Sequence, residues 1–284
     1  MLAPSVLDQA GGWFLGLAVA TFLVVLAQSQ RDLPRCPDGM IPLGARCCGE
    51  GQRLESGRCV GTPSRCGDGL ELRPDGCVAP RRRVVLGAGE SSWRPPDTTV
   101  GAGEVAKTNA FAIDAYEVTW RDWAGCVAAH ACPASAPGDP GQAVSGVSRE
   151  EARGFCRFAG GRLPSDAEWL RAAIGEVEKR YPWGDPDALC LRAAFALDGR
   201  CAHGAVGPDT AGARPWGKTE AGIHDLAGNV AEWVDDGAPP GSVAVRGASF
   251  RELDATSLRP RWRRVLAEGS RHDWVGFRCA YDAQ

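Results

Sequence analysis

Hydrophobic and polar positions divide the chain into three stretches of different character. From Gly11 to Ala27 the residues are uncharged and almost all apolar, about the shortest run that spans a bilayer. Residues 1–30 are therefore expected to be a signal anchor or a signal peptide. Val25-Leu26-Ala27 offers a small-residue cleavage site, whereas the residues ahead of the run hold Asp8 and no Lys or Arg, unlike a typical signal peptide. Arg31 and Arg35 follow the run and by themselves favour a cytoplasmic C-terminal side. Residues 31–80 show neither helical nor strand periodicity and are punctuated by cysteine and glycine. The third stretch, 81–284, carries the elements of a larger domain.

In that third stretch "AFAIDAYEV" alternates as a strand does and runs into a helix start at Thr119. Three helices share one N-terminal chemistry, in "TWRDWAGCV", "SREEARGFCRFAGG" and "SDAEWLRAAIG". Thr119 precedes Asp122, Ser148 precedes Glu151 and Ser165 precedes Glu168 by three positions, the spacing of a capping box. Gly160 and Gly175 suit the ends of the last two. Ala152, Phe155, Cys156 and Ala159 recur at helical spacing, as do Trp169, Leu170 and Ala173, so each helix should bury one face. Downstream, "GIHDLAGNVAEWVDD" is dense in turn formers, while "SVAVRGASF" and "WVGFRCAYD" read as short strands separated by long connections. The expected class is α+β, rich in loops.

Composition sharpens this picture. Thirty-seven glycines and twenty prolines imply much irregular chain, and ten tryptophans are available to anchor a core. A net charge of -3 points to neither nucleic acid nor an acidic membrane surface. The stretch "APRRRVVLGAGESSWRPPDTTVGAGE" is rich in Pro, Gly and charge, which places the domain boundary near residue 80 and makes Arg81 to Arg83 a solvated linker.

The twelve cysteines fall into pairs. "CPDGMIPLGARC", "CGEGQRLESGRC" and "CGDGLELRPDGC" are three repeats, Cys36 with Cys47, Cys48 with Cys59 and Cys66 with Cys77, each readable as a short hairpin closed by its own disulfide. Such a hairpin has almost no core, and closing a loop of this length contributes roughly 3 kcal/mol in the chain-entropy model. A zinc module is the rival, but the Cys-x-x-Cys pairs or nearby histidines it needs are missing. Cys126 with Cys132 and Cys190 with Cys201 are further plausible pairs, leaving Cys156 for Cys279. An even, paired set implies an oxidising compartment, with the large domain periplasmic or extracellular, and outweighs the charge argument at Arg31 and Arg35.

Taken in order, "FAIDAYEVTWRDW", "VSGVSREEARGFCRFAGGRLPSDAEWLRAA", "YPWGD", "GIHDLAGNVAEWVDD", "VRGASF" and "VGFRCA" resemble the formylglycine-generating enzyme family, the sulfatase-modifying factor domain, over roughly residues 84 to 281. The resemblance implies a variant of the C-type lectin fold with little regular secondary structure. It also implies a bridge between Cys156 and Cys279. Enzymes of that family carry two cysteines after an Arg-Gly-Gly-Ser motif, bind copper there, and oxidise a sulfatase cysteine to formylglycine with oxygen. Counted from Arg246-Gly247-Ala248-Ser249, those positions are Glu252 and Ser257, and copper(I) prefers thiolates to a carboxylate and a hydroxyl. Copper is therefore not expected. A second family disulfide is lost at both ends, at Ala173 and Trp262.

The resemblance further implies a structural calcium site, with side chains from Asp225 and Glu232 and carbonyls from Gly228 and Val230. Without the family, these acids would be read as turn caps or arginine partners. The four histidines, His130, His203, His224 and His272, are too scattered for a mononuclear iron centre. The arginines Arg259, Arg261, Arg263 and Arg264 form either a groove for an anionic partner, such as a sulfated or acidic glycan, or a solvated face of salt bridges. The sequence thus suggests an exported protein, tethered through residues 11–27 if these are uncleaved, with a binding or scaffold role toward a protein or glycan. The alternatives are an oxidase with altered chemistry around Glu252 and a lectin-like glycan binder.

Overall fold

The computed structural model describes residues 36–283 apart from 94–103, 197–206 and positions 37, 39, 44, 45, 56, 57, 68, 75, 137 and 237. The apolar run at 11–27 lies outside these. Among the described residues no helix is long and apolar enough to cross a membrane.

The cysteine repeats form three two-stranded antiparallel hairpins: β1 (Met40–Leu43) with β2 (Arg46–Gly49), β3 (Arg53–Glu55) with β4 (Arg58–Val60), and β5 (Glu71–Arg73) with β6 (Gly76–Val78). Their disulfides are Cys36–Cys47, Cys48–Cys59 and Cys66–Cys77, each with a sequence separation of 11 residues. Since strands this short cannot hold themselves by burial, the crosslinks carry much of their order. The third unit is also docked onto the large domain. Tyr116 donates its hydroxyl to the Gly69 carbonyl at 3.1 Å, and Leu70 and Ala79 pack around Tyr116 and Ala211. Gly69 has a φ of 83°, and a Cβ there would lie 2.6 Å from the Tyr116 hydroxyl, so only glycine permits this approach.

Arg81 to Arg83 are exposed, as their setting suggested, but they are bonded to the domain rather than a free linker, and Arg83 begins a strand. Arg81 donates to both carboxylate oxygens of Asp114 and to the Tyr281 hydroxyl, Arg82 donates to the Gly222 carbonyl, and Arg83 lies over the Tyr281 ring. The run clasps the hairpin region to the domain through partners that are remote in sequence, and local composition could not reveal them.

The large domain contains a three-stranded antiparallel sheet in which β10 (Phe111–Asp114) lies between β7 (Arg83–Leu86) and β15 (Ala280–Asp282). All four β10 residues are buried, so the expected in-out alternation gives way to a strand covered on both faces. A hairpin of β8 (Gly89–Trp93) and β9 (Glu104–Thr108) follows β7. The second sheet has the order β13 (Arg263–Ala267), β12 (Ser242–Arg246), β11 (Ala231–Trp233), β14 (Val275–Gly276), with β11 and β14 parallel.

Helices α1 (Trp120–Ala128), α2 (Arg149–Phe158) and α3 (Asp166–Ile174) start on the three expected capping boxes, each with both reciprocal bonds formed. The α3 helix ends on Gly175 at φ 70°, and Gly160 at φ 77° follows α2. Trp123, Trp169 and Trp233 are fully buried anchors of the core. The Cys156–Cys279 bridge ties α2 to the residue preceding β15, and Cys126–Cys132 closes the end of α1. Cys190 is disulfide-bonded as well, while its expected partner Cys201 lies outside the described residues.

No described cysteine is free. Intact mass after thiol blocking should therefore show no label on the native protein and twelve labels after reduction. Two or more labelled thiols before reduction would break this pairing.

Candidate functional site

The loop from β12 into β13 carries the positions aligned with the family's thiols. β12 delivers Arg246 to a turn at Gly247 and Ala248, whose φ values are 92° and 57°. Ser249 and Phe250 are then buried, and the Ser249 hydroxyl accepts from the Arg251 amide at 3.2 Å. The Glu252 carbonyl accepts from the Ala196 amide at 2.7 Å, which fixes the loop against the domain. Next comes a 3-10 turn at Ala255–Leu258, capped by Asp254 through the Thr256 amide and hydroxyl. Ser257 sits within this turn, half-buried.

Glu252 faces a guanidinium. Arg264 Nη2 lies 3.7 Å from Glu252 Oε1, and the same guanidinium stands over the rings of Trp262 and Trp274 at 5.3 and 5.1 Å. Arg251 pairs with Asp273 beside it. Oxygen donors neutralised by arginine do not suit copper(I). Of the two positions that the resemblance implies for a further disulfide, Ala173 is buried among apolar neighbours and Trp262 is half-buried against the core, so both act as packing residues.

The four arginines expected to line one groove are divided. Arg259 and Arg261 share an open groove with Lys179 and Arg180. Arg263 instead approaches Asp166 at 3.4 Å, and Arg264 belongs to the tryptophans and Glu252.

A second cluster lies deep in the domain, around the turn before β11. Arg278 is fully buried and forks onto Glu232, with Nε to Oε2 and Nη2 to Oε1 both at 2.7 Å. Trp169 Nε1 adds a third donor to Glu232 at 2.8 Å. The remaining Arg278 donors reach the Asp114 and His224 carbonyls at 3.1 and 2.7 Å. Asp225 accepts from the Gly212 amide at 2.6 Å, and Glu117 accepts from Asn229 Nδ2 and the Val230 amide. Asp225, Gly228 and Asn229 all have positive φ, and a Cβ at Gly228 would meet the Ala194 carbonyl at 2.3 Å.

This geometry regroups the expected calcium ligands. Glu232 is committed to Arg278 and Trp169, while Asp225 is brought instead toward Glu117, a residue the sequence reading did not single out. Among the described residues no three His, Cys, Asp or Glu side chains are arranged to hold a metal. Of the set expected for calcium, the Glu232 carboxylate is met by Arg278 and Trp169, and the Asp225 carboxylate accepts from the Gly212 amide. The sequence hint of Glu117 was an acid between Tyr116 and Val118 in a mostly apolar run that also holds Asp114.

Three carboxylates thus lie in the field of the Arg278 guanidinium, of which Glu232 is hydrogen-bonded to it. Burial, with Asp225 and Glu232 nearby, holds Glu117 well above the usual carboxylate range. Burial likewise pushes Asp225 from 3.8 to about 6. His224, stacked on Tyr116 at 4.6 Å, is driven down to about 3 by burial and by Lys218 and Arg278, and so stays neutral.

A model of the sulfatase-modifying factor enzyme 1-like domain matches residues 73–283. The chain belongs to this family. The sulfatase-modifying factor chain is 34% identical over 149 residues to the inactive C-alpha-formylglycine-generating enzyme 2 of Bos taurus, covering 48% of this chain and 49% of that protein. It is 32% identical over 171 residues to the formylglycine-generating enzyme of Streptomyces coelicolor, covering 51% and 54%. It therefore spans about half the length of these relatives, one named inactive and one named as an enzyme. The solved structure of PvdO from Pseudomonas aeruginosa shares the fold, with a TM-score of 0.58 at 23% identity, covering 74% of this chain and 96% of that one.

Because the folded state holds a proton on Asp225 that the unfolded chain releases, this group's contribution to stability is fully present below about pH 4. It should fall as pH rises through about 6. In Asp225→Asn this fall should shrink by up to about 3 kcal/mol, the equivalent of a shift of roughly two pK units. Denaturant melts between those pH values in chelator check this, and equal slopes in both proteins would refute it.

Proposed function

We propose that this sulfatase-modifying factor domain is a non-catalytic binding or scaffold module, exported and tethered to a membrane through residues 11–27. The observation that carries the loss of catalysis is the pair at the aligned thiol positions, Glu252 and Ser257, with Glu252 set against Arg264. A copper oxidase of this family needs two soft sulfur donors there, and the cysteines of the described chain are all engaged in disulfides. A relative of similar identity that is itself named inactive supports the same reading. The disulfides fit an oxidising, extracytoplasmic compartment, and the apolar run supplies a tether of about the required length.

The scaffold is kept while the centre has changed, since the caps, the Arg278–Glu232 fork and the Cys156–Cys279 bridge lie away from the loop holding Glu252 and Ser257. A surface of arginine and tryptophan at the former centre is the chemistry of a protein contact, because these residues dominate binding hot spots.

Supplied with a Cys-x-Pro-x-Arg peptide, copper and oxygen, the protein should yield no aldehyde by mass spectrometry. Aldehyde formation that disappears in Glu252→Ala would overturn the proposal in favour of an oxidase with altered chemistry.

A further inference from the structure

The groove between the segment after α3 and the segment after the 3-10 turn lies apart from both clusters above. It holds about 300 Å³ and is lined by Glu178, Lys179, Arg180, Arg259, Pro260 and Arg261. Four cations thus face one carboxylate. We propose that this groove binds an acidic polysaccharide through its sulfate or carboxylate groups.

Its walls are held in place. Arg261 Nε pairs with Glu178 at 2.7 Å and joins the two segments. The carbonyl of buried Pro260 accepts from Arg246 Nη1 at 3.3 Å, and Arg246 is itself forked onto Asp166. The cations are available to a ligand in different degrees. Arg259 is exposed, and the charge it is attracted to is that of the also exposed Asp254. Arg180 and Lys179 pair with Asp187 and Glu220, whose side chains are 79% and 90% exposed. Exposed pairs of that kind contribute about 0–1 kcal/mol and exchange readily for a multivalent anion. Guanidinium forks match the two oxygens of a carboxylate or sulfate, and a lysine adds a point charge.

The lining favours a polysaccharide over an acidic peptide. Peptide recognition draws on a free strand edge or on pockets for apolar anchors, and here only Pro260 is apolar and none of the lining residues lies in a strand. Repeated charges along a sugar chain require no such pocket. The inference deepens the binding-module reading by naming a ligand class, yet it uses none of the residues at Glu252 and Ser257. The oxidase assay and the binding assay can therefore fail separately.

The test is retention of the full chain on an immobilised, heparin-type sulfated oligosaccharide. The comparison arms are the same oligosaccharide without sulfate and a poly-glutamate peptide. Retention on the sulfated sugar should weaken with added salt. It should fall roughly tenfold or more in the Arg259→Ala, Arg261→Ala double variant, as expected for two lost charge-assisted contacts. A control that removes two exposed cations elsewhere, Arg73→Ala with Arg157→Ala, should stay close to wild type. Arg259→Ala alone removes an attraction to the exposed Asp254, and a thermal melt matching wild type separates weaker retention from unfolding. The proposal is overturned if the control loses as much as the groove variant, if poly-glutamate binds more tightly than the sulfated sugar, or if the full chain is not retained at low salt.

Discussion

The fold depends on one buried ion pair, the fork between Arg278 and Glu232. Both side chains are fully buried, and the guanidinium also holds the carbonyls of Asp114 and His224 while Trp169 completes the shell of Glu232. The pair thereby joins the end of β10, the turn before β11, the strand β11 and the helix α3. Desolvating two charges is costly, and a buried pair survives only when its remaining hydrogen-bond capacity is met. That condition is satisfied here by backbone carbonyls that long connections would otherwise leave unmatched. Loss of either partner would strand a charge in the core, a penalty of about 3–5 kcal/mol.

A loop-rich domain has few ladders to absorb its backbone groups, so polar side chains enter the interior to do so. Asn229 illustrates this. Its amide donates to Glu117, its side-chain carbonyl accepts from the Asp209 amide, and its backbone carbonyl accepts from Phe250, so one residue links three segments. Burial first, and then the neighbouring carboxylates, raise Glu117 and Asp225. Glu232 and Asp225 are part of the same hydrogen-bonded frame.

In the proposed reading, this division of labour lets the centre differ from the family's enzymes without the fold following. The frame is built from caps, bridges and the Arg278 network, whereas the loop holding Glu252 and Ser257 attaches through main-chain bonds such as that of Ala196. Side chains there are free to vary, and Trp262, Arg264 and Trp274 have formed a layered cation-aromatic surface. The disulfide hairpins are similarly modular, yet the Tyr116 contact and the Arg81 to Arg83 clasp seat the third unit on the domain.

Local chemistry was legible from the residues alone. Ser or Thr three positions before an acid fixed the three helix starts, equal spacing paired the cysteines of the hairpins, and ordered motifs identified the family, because each of these signals depends on neighbours within a few residues or on a shared pattern. Tertiary structure alone decided that Glu232 belongs to Arg278, that Glu117 joins Asp225, that Arg81 clasps Asp114, and that four nearby arginines serve three different places. Charged side chains choose partners by distance and burial, and the segments that supply those partners lie 33 to 200 residues apart. Only the folded chain sets those distances.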